Sequence, residues 1–167
     1  VHGTDYAIGF DSCVATVTDA IDNLHTTAES HHRVMLIEVM GRTAGWVALY
    51  AGVAGGADAI LIPERSDSSQ RFTLADLVET IEARQRANRH FTIIVVSEGV
   101  AGPFGEEVYA STTGAAHRWR LGGVCHQLAA ELSTMTSREV RTLVLGHLQR
   151  GGSPTPTDRV RATKLAQ

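Results

Sequence analysis

Helical and extended hydrophobic patterns alternate along these 167 residues, and the alternation predicts an α/β domain with a parallel sheet and helices on both faces. Two further observations support it. Each extended run is almost continuously apolar, as strands covered on both faces should be. Strands separated by helical segments also fit the right-handed crossovers that join parallel neighbours.

Phe10, Val14, Val17, Ile21 and Leu24 recur at spacings of four and three, which marks one face of a first helix. Thr4 or Asp5 is expected to cap its start. Val34 to Val39 reads as a buried strand. A second helix runs from Gly45 through Trp46, Leu49, Tyr50 and Val53 to Gly55 and Gly56. Its aromatic residues Trp46 and Tyr50 are expected to pack in the core or at an interface, not to touch a ligand. Ala59 to Ile62 forms a second strand, stopped by Pro63, and residues 65–72 a polar loop. Thr73 starts a helix with Leu74, Leu77, Val78 and Ile81 on its inner face. Arg84, Arg86 and Arg89 lie towards its C-terminal end, where basic groups suit the helix dipole. Phe91 to Val96 is a third strand. Residues 99–119 have no clear period and are rich in Gly and Thr, a long loop or flap. Val124, Leu128 and Leu132 mark a further helix, and Val140 to Leu145 a fourth strand. "GHLQRGGSPTPTDRV" is a loop that runs into a last helix. With no repeat or linker, residues 1–167 are expected to form one domain.

Composition excludes little and suggests an ordinary soluble chain. It is 43% hydrophobic and 20% charged, and its net charge of −3 gives no reason to expect nucleic acid. No apolar run approaches the ~18–20 residues of a membrane helix, and no signal peptide pattern opens the sequence. A cytoplasmic location is therefore expected. Cys13 and Cys125 each sit in a helical pattern and read as buried, reduced thiols. His31 and His32 are adjacent, so they point in different directions on a helix, and no metal site is expected.

Ligands of open parallel sheets bind beyond the carboxyl ends of the strands. Those ends read "MGR" (40–42), "PE" (63–64), "SEG" (97–99) and "GHLQR" (146–150). If the strands pair, Arg42, Glu64, Glu98, His147 and Arg150 become neighbours. Arginine suits phosphate by its charge and its forked donors. Glutamate suits a sugar hydroxyl, and Gly41 allows the backbone to approach a ligand closely. The group reads as a site for a phosphorylated polyol. The plainer alternative is a surface ion pair between Arg42 and Glu64, with His147 merely packed in its loop.

Several separated motifs stand in a telling order: "GTDYAIGF" (3–10), "SHHR" (30–33), "EVMGR" (38–42), "AGGAD" (54–58), "IPE" (62–64), "SEG" (97–99) and "LGHLQRGGSPTPTDR" (145–159). Through them the chain resembles the phosphofructokinase family, whose members transfer a phosphoryl group to fructose 6-phosphate. The resemblance implies that Met40, Gly41 and Arg42 line the sugar phosphate site, with Arg42 near the transferring phosphoryl group or the sugar's 1-position. It implies that Glu98 binds sugar hydroxyls and that His147 and Arg150 lie at the far end, Arg150 facing the 6-phosphate. Arg33 and Arg141 match arginines that reach the 6-phosphate from a neighbouring subunit, so a homodimer or homotetramer with shared sites is expected.

Family members are roughly twice as long as this chain. The glycine-rich donor loops and the "TIDND" loop, with its general base and its Mg²⁺-holding aspartate, lie upstream of the first motif here. The chain is accordingly expected to be the sugar phosphate-binding part of a longer enzyme, without the nucleotide- or pyrophosphate-binding part, and inactive alone. Mg²⁺ and ATP are implied for the whole enzyme, with pyrophosphate as the alternative donor. A non-catalytic sugar phosphate-binding module, or an α/β domain whose strand-end residues are only structural, are the competing expectations.

Overall fold

The computed structural model of the protein describes residues 5–65, 72–101, 108–110 and 120–167. In chain order the elements are α1 (Phe10–His31), β1 (Val34–Val39), α2 (Trp46–Ala54), β2 (Ala59–Leu61), α3 (Leu74–Arg86), β3 (Thr92–Ser97), β4 (Tyr109–Ala110), β5 (Arg120–Leu121), α4 (Val124–Met135), β6 (Val140–Val144) and α5 (Pro156–Leu165). Short 3-10 turns at Pro63–Arg65 and Gly146–Arg150 follow β2 and β6. Four strands form one parallel sheet in the order β2-β3-β1-β6. The expected α/β class and the four expected strands are therefore present.

Alternation along the strands divides the core in two. Val34 and Leu36 of β1, with Ile94 and Val96 of β3, face α3 and α4 through Leu77, Ile81, Leu128 and Leu132. Met35, Ile37 and Val39 face the other way, with Ile93 and Val95, onto Val17 and Ile21 of α1 and Ala48 and Ala51 of α2. Every residue of β1 and β3 is buried, which explains why their sequences are apolar apart from Glu38, Thr92 and Ser97. Edge strand β6 is only partly covered, and Val144 is exposed.

Local chemistry fixes several helix ends. Thr73, expected to start this helix, is the N-cap of α3, and with Asp76 it forms a reciprocal capping box. Thr155 caps α5, with Pro156 at the first helical position. The expectation for α1 needs correction. The helix begins at Phe10, Gly9 stands at its N-cap with φ 90° and no side chain caps it, so Asp5 does not serve; Thr4 lies outside the described residues. What ties down the start of α1 is Asp158 of α5. Its Oδ2 accepts from the Ser12 amide at 2.8 Å and from the Ser12 hydroxyl at 2.6 Å.

Of two further expectations, the first loses its core alternative and the second gains detail. Trp46 and Tyr50 do not enter the core of the described residues: they are 57% and 46% exposed, stacked edge-on against each other, and the inner face of α2 is Ala48, Ala51 and Gly52. The physical reason is close packing, because a Cβ on Gly52 would lie 2.7 Å from Ile60. Only small residues fit between α2 and the sheet, so the large ones turn outward. Within the 99–119 stretch, β4 begins a two-stranded antiparallel ribbon completed by β5; residues 102–107 and 111–119 lie outside the described residues. The arginines near the end of α3 do more than complement a dipole. Arg84 pairs with Asp58 at 2.6 Å and donates to the Phe91 carbonyl, while Arg86 pairs with Glu79 and Glu82.

Burial pushes the Asp158 carboxyl up, but hydrogen bonds from the Ser12 side chain and amide and from the Gly9 amide, with Arg161 nearby, outweigh it and hold it below its ordinary value. A carboxylate with a depressed folded pKa stabilises the fold above its unfolded pKa, near ~3.9, and loses that contribution as the pH falls through the folded value. Asp158→Ala should therefore destabilise the fold by about 1.5–3 kcal/mol at neutral pH. In urea unfolding, the gap between wild type and variant should narrow below about pH 4.

Candidate functional site

Because the four strands are parallel, their carboxyl ends share one edge of the sheet. The helix after β1 lies on one face and the helix after β3 on the opposite face. These two strands are adjacent. Their ends therefore flank the crevice that ligands occupy in open parallel sheets. The segments beyond them are 40–42 and 97–99.

The two segments are hydrogen-bonded to each other. One oxygen of Glu98, Oε1, accepts from the Gly41 amide at 3.1 Å and from the Arg42 amide at 2.9 Å. Its other oxygen makes no hydrogen bond among the described residues and stays available. Arg42 leaves the strand with φ 53°, in the left-handed region. An arginine held there is under backbone strain that the surroundings must enforce. Gly99 supplies part of that enforcement, for a Cβ at residue 99 would lie 1.7 Å from the Arg42 carbonyl oxygen. Gly41 is equally confined, 2.1 Å from the Ala44 carbonyl oxygen by the same measure.

The third wall comes from the turn after β6. His147 and Arg150 are exposed on it, and Gln149 points inward to the Met40 amide at 3.2 Å. Contacts thus run from Glu98 to Gly41 and Arg42, and from Met40 to the turn that carries His147 and Arg150. The side chains of Arg42, His147 and Arg150 have no hydrogen-bond or ion-pair partner among the described residues. Two arginines and an imidazole without such partners among the described residues, at one sheet edge, are groups chemically suited to an anion. Arg150 also lies near Cys13. Burial pushes the Cys13 thiol up and the Arg150 charge opposes this, with a net rise, so Cys13 stays a neutral thiol.

Glu64 does not pair with Arg42. Both its oxygens accept from the Gly45 amide, at 2.8 and 3.1 Å, so Glu64 holds the start of α2. Arg33 and Arg141 lie elsewhere. Arg33 precedes β1, and Arg141 pairs in register with Met35 near the start of β6. Both are therefore towards the amino edge of the sheet, with roughly 20 Å of strand between Arg33 and the crevice and roughly 13 Å for Arg141. There the Glu139 carboxylate bridges their two guanidinium groups. The Arg33 hydrogen bond, against some desolvation and with help from Arg141, holds the Glu139 carboxyl below its usual range.

Reading the sequence missed two carboxylates and an amide. Glu38 is 3% exposed inside β1 and accepts from the Gly123 and Cys125 amides at the start of α4. Its signal was a lone acid in the apolar run 34–39, since a buried charge demands partners. Asp158 and Gln149 both lie inside the quoted 145–159 motif.

A family model described as phosphofructokinase matches residues 1–167. An ATP-dependent 6-phosphofructokinase of Chloroflexus aurantiacus is 51% identical over 97% of this chain and 42% of its own length. A pyrophosphate–fructose 6-phosphate 1-phosphotransferase of Amycolatopsis mediterranei is 50% identical over 97% of this chain and 46% of its own. The chain thus spans less than half the length of these curated relatives. Among solved structures, a phosphofructokinase of Saccharomyces cerevisiae superimposes with a TM-score of 0.79 at 32% identity, covering 97% of this chain and 19% of that one.

The glycine contact yields a pair of expected outcomes. Gly99→Ala should cost about 1–3 kcal/mol, because the added methyl group meets backbone and not a yielding side chain. Arg42→Gly should cost nothing and return up to about 1 kcal/mol by releasing the left-handed strain. Urea unfolding of both variants checks the two signs.

Proposed function

The chain belongs to the phosphofructokinase family, and from that premise we propose that it forms the acceptor half of an enzyme that phosphorylates fructose 6-phosphate at its 1-hydroxyl. ATP is the preferred donor in this proposal, and pyrophosphate the alternative. The observation that carries it is the set Arg42, His147 and Arg150, whose side chains have no hydrogen-bond or ion-pair partner among the described residues, at the sheet edge that also carries Glu98.

The proposed roles follow from position. Arg150, with His147, takes the 6-phosphate, where a guanidinium offers two parallel donors to two phosphate oxygens. The free Oε2 of Glu98 accepts from sugar hydroxyls while Oε1 stays bound to the Gly41 and Arg42 amides. Met40 and Gly41 line the sugar. Arg42 lies towards the 1-position, where it neutralises charge on the transferring phosphoryl group. Phosphoryl transfer rests mainly on such positioning and charge stabilisation. No three metal-ligating side chains converge among the described residues. In this reading the Mg²⁺ that would neutralise donor phosphates, the donor site and the general base are supplied by the rest of a longer enzyme.

Arg33 and Arg141 are proposed to serve a neighbouring subunit in a homo-oligomer. Their place towards the opposite sheet edge supports this, since neither side chain spans its distance to its own crevice.

Two experiments test the proposal in the full-length enzyme. Arg150→Ala should weaken fructose 6-phosphate binding by about 1.5–3 kcal/mol, some ten- to a hundredfold in Kd, with a milder loss for His147→Ala. Unchanged Kd and KM in folded variants would overturn the assignment. Mixing an Arg33→Ser enzyme with an Arg150→Ala enzyme should restore activity in hybrid oligomers, where an intact pocket meets an intact donor arginine. No recovery despite demonstrated subunit exchange would place each site within a single chain.

A further inference from the structure

The turn that exposes His147 and Arg150 buries the residue between them in space. Gln149 is 2% exposed and ranks among the largest fully buried side chains. Its Oε1 accepts from the Met40 amide at 3.2 Å, and its Nε2 donates to the Gly146 carbonyl at 3.1 Å. The Cys13 thiol of α1 approaches the same Oε1 at 3.8 Å.

The placement has a backbone cause. The Leu145 amide donates to the Glu38 carbonyl, which continues the β1–β6 ladder one step beyond β6. The next donor on that edge is Met40, just past β1, whose partner in a parallel ladder would be the Leu145 carbonyl. That carbonyl is already used by the Leu148 amide in the 3-10 turn. The chain has turned away, and the Gln149 side chain supplies the missing acceptor. A primary amide fits because one group must both accept from Met40 and donate to Gly146.

We propose that Gln149 is a positioning residue for the sugar phosphate site: its amide fixes Met40–Arg42 against His147–Arg150, and so sets the spacing between the groups at the two ends of the bound sugar. This rests on the function proposed above. Gln149 touches no substrate and acts through the Met40 amide and the Gly146 carbonyl. Leucine keeps its volume and loses both bonds. Glutamate keeps the acceptor and, when ionised, cannot donate to Gly146.

The test uses Gln149→Leu, Gln149→Glu and Arg150→Ala in the full-length enzyme, with KM for fructose 6-phosphate and for the phosphoryl donor, and the unfolding midpoint, measured for each. Gln149→Leu should raise KM for fructose 6-phosphate about five- to twentyfold, with the donor KM held within about twofold and a smaller rise for Gln149→Glu. A merely structural role would lower the unfolding midpoint and the active fraction but leave KM of the folded enzyme unchanged, and that result overturns the proposal. If the leucine variant does not fold, an unchanged KM in Gln149→Glu overturns it equally. Loss in Arg150→Ala with none at residue 149 removes the positioning role alone. No change at either residue removes the sugar phosphate assignment with it.

Discussion

Strand β1 is hydrogen-bonded along both edges and buried on both faces, and the remaining structure is arranged by that constraint. A strand flanked by β3 and β6 cannot shift register without breaking two ladders, and it cannot rotate without exposing an apolar face. Its carboxyl end is consequently among the most fixed points of the molecule. The Met40–Arg42 segment leaves from that point, and its amides are met at once by Glu98 from one side and Gln149 from the other. Rigid support of this kind lets a strained arginine persist, because relaxing it would mean moving the sheet.

How much of this was legible from the sequence depended on whether neighbours mattered. Val34–Val39 was readable to the residue because burial on both faces leaves a run that is apolar but for Glu38. Thr73 was readable as the start of its helix because a capping box is local. The inner face of α2 was not. The helix is apolar nearly all round, so periodicity cannot choose a side, and the choice fell to the tight gap at Gly52 and Ile60. The start of α1 was hidden for a similar reason, since its anchor Asp158 lies 146 residues away.

The same division holds in the candidate site. Arg42, Glu98, His147 and Arg150 could be grouped because parallel strands place their ends together. The amide role of Gln149 could not be read, since it requires knowing that β6 turns away one residue before β1 runs out of donors. The separation of Arg33 and Arg141 from the crevice could be read only from register, as both precede or begin strands whose far ends carry the other residues. Glu139 matters there electrostatically: two guanidinium groups held close repel each other, and a shared carboxylate makes their proximity tolerable.

The position of β1 between late-arriving partners also bears on synthesis. β3 follows it by some sixty residues and β6 by about a hundred, so at the ~5–20 residues per second of translation its second edge stays unpaired for several seconds. During that interval a largely apolar six-residue strand with an open edge is prone to pair with another chain. Glu38 interrupts the run while it is exposed, a single charge that disfavours intermolecular stacking. The cost of that safeguard falls due at folding, when the carboxylate must be buried, and α4 meets it with the Gly123 and Cys125 amides. One residue thus breaks the apolar run of the unpaired strand and fastens a helix once the sheet has closed.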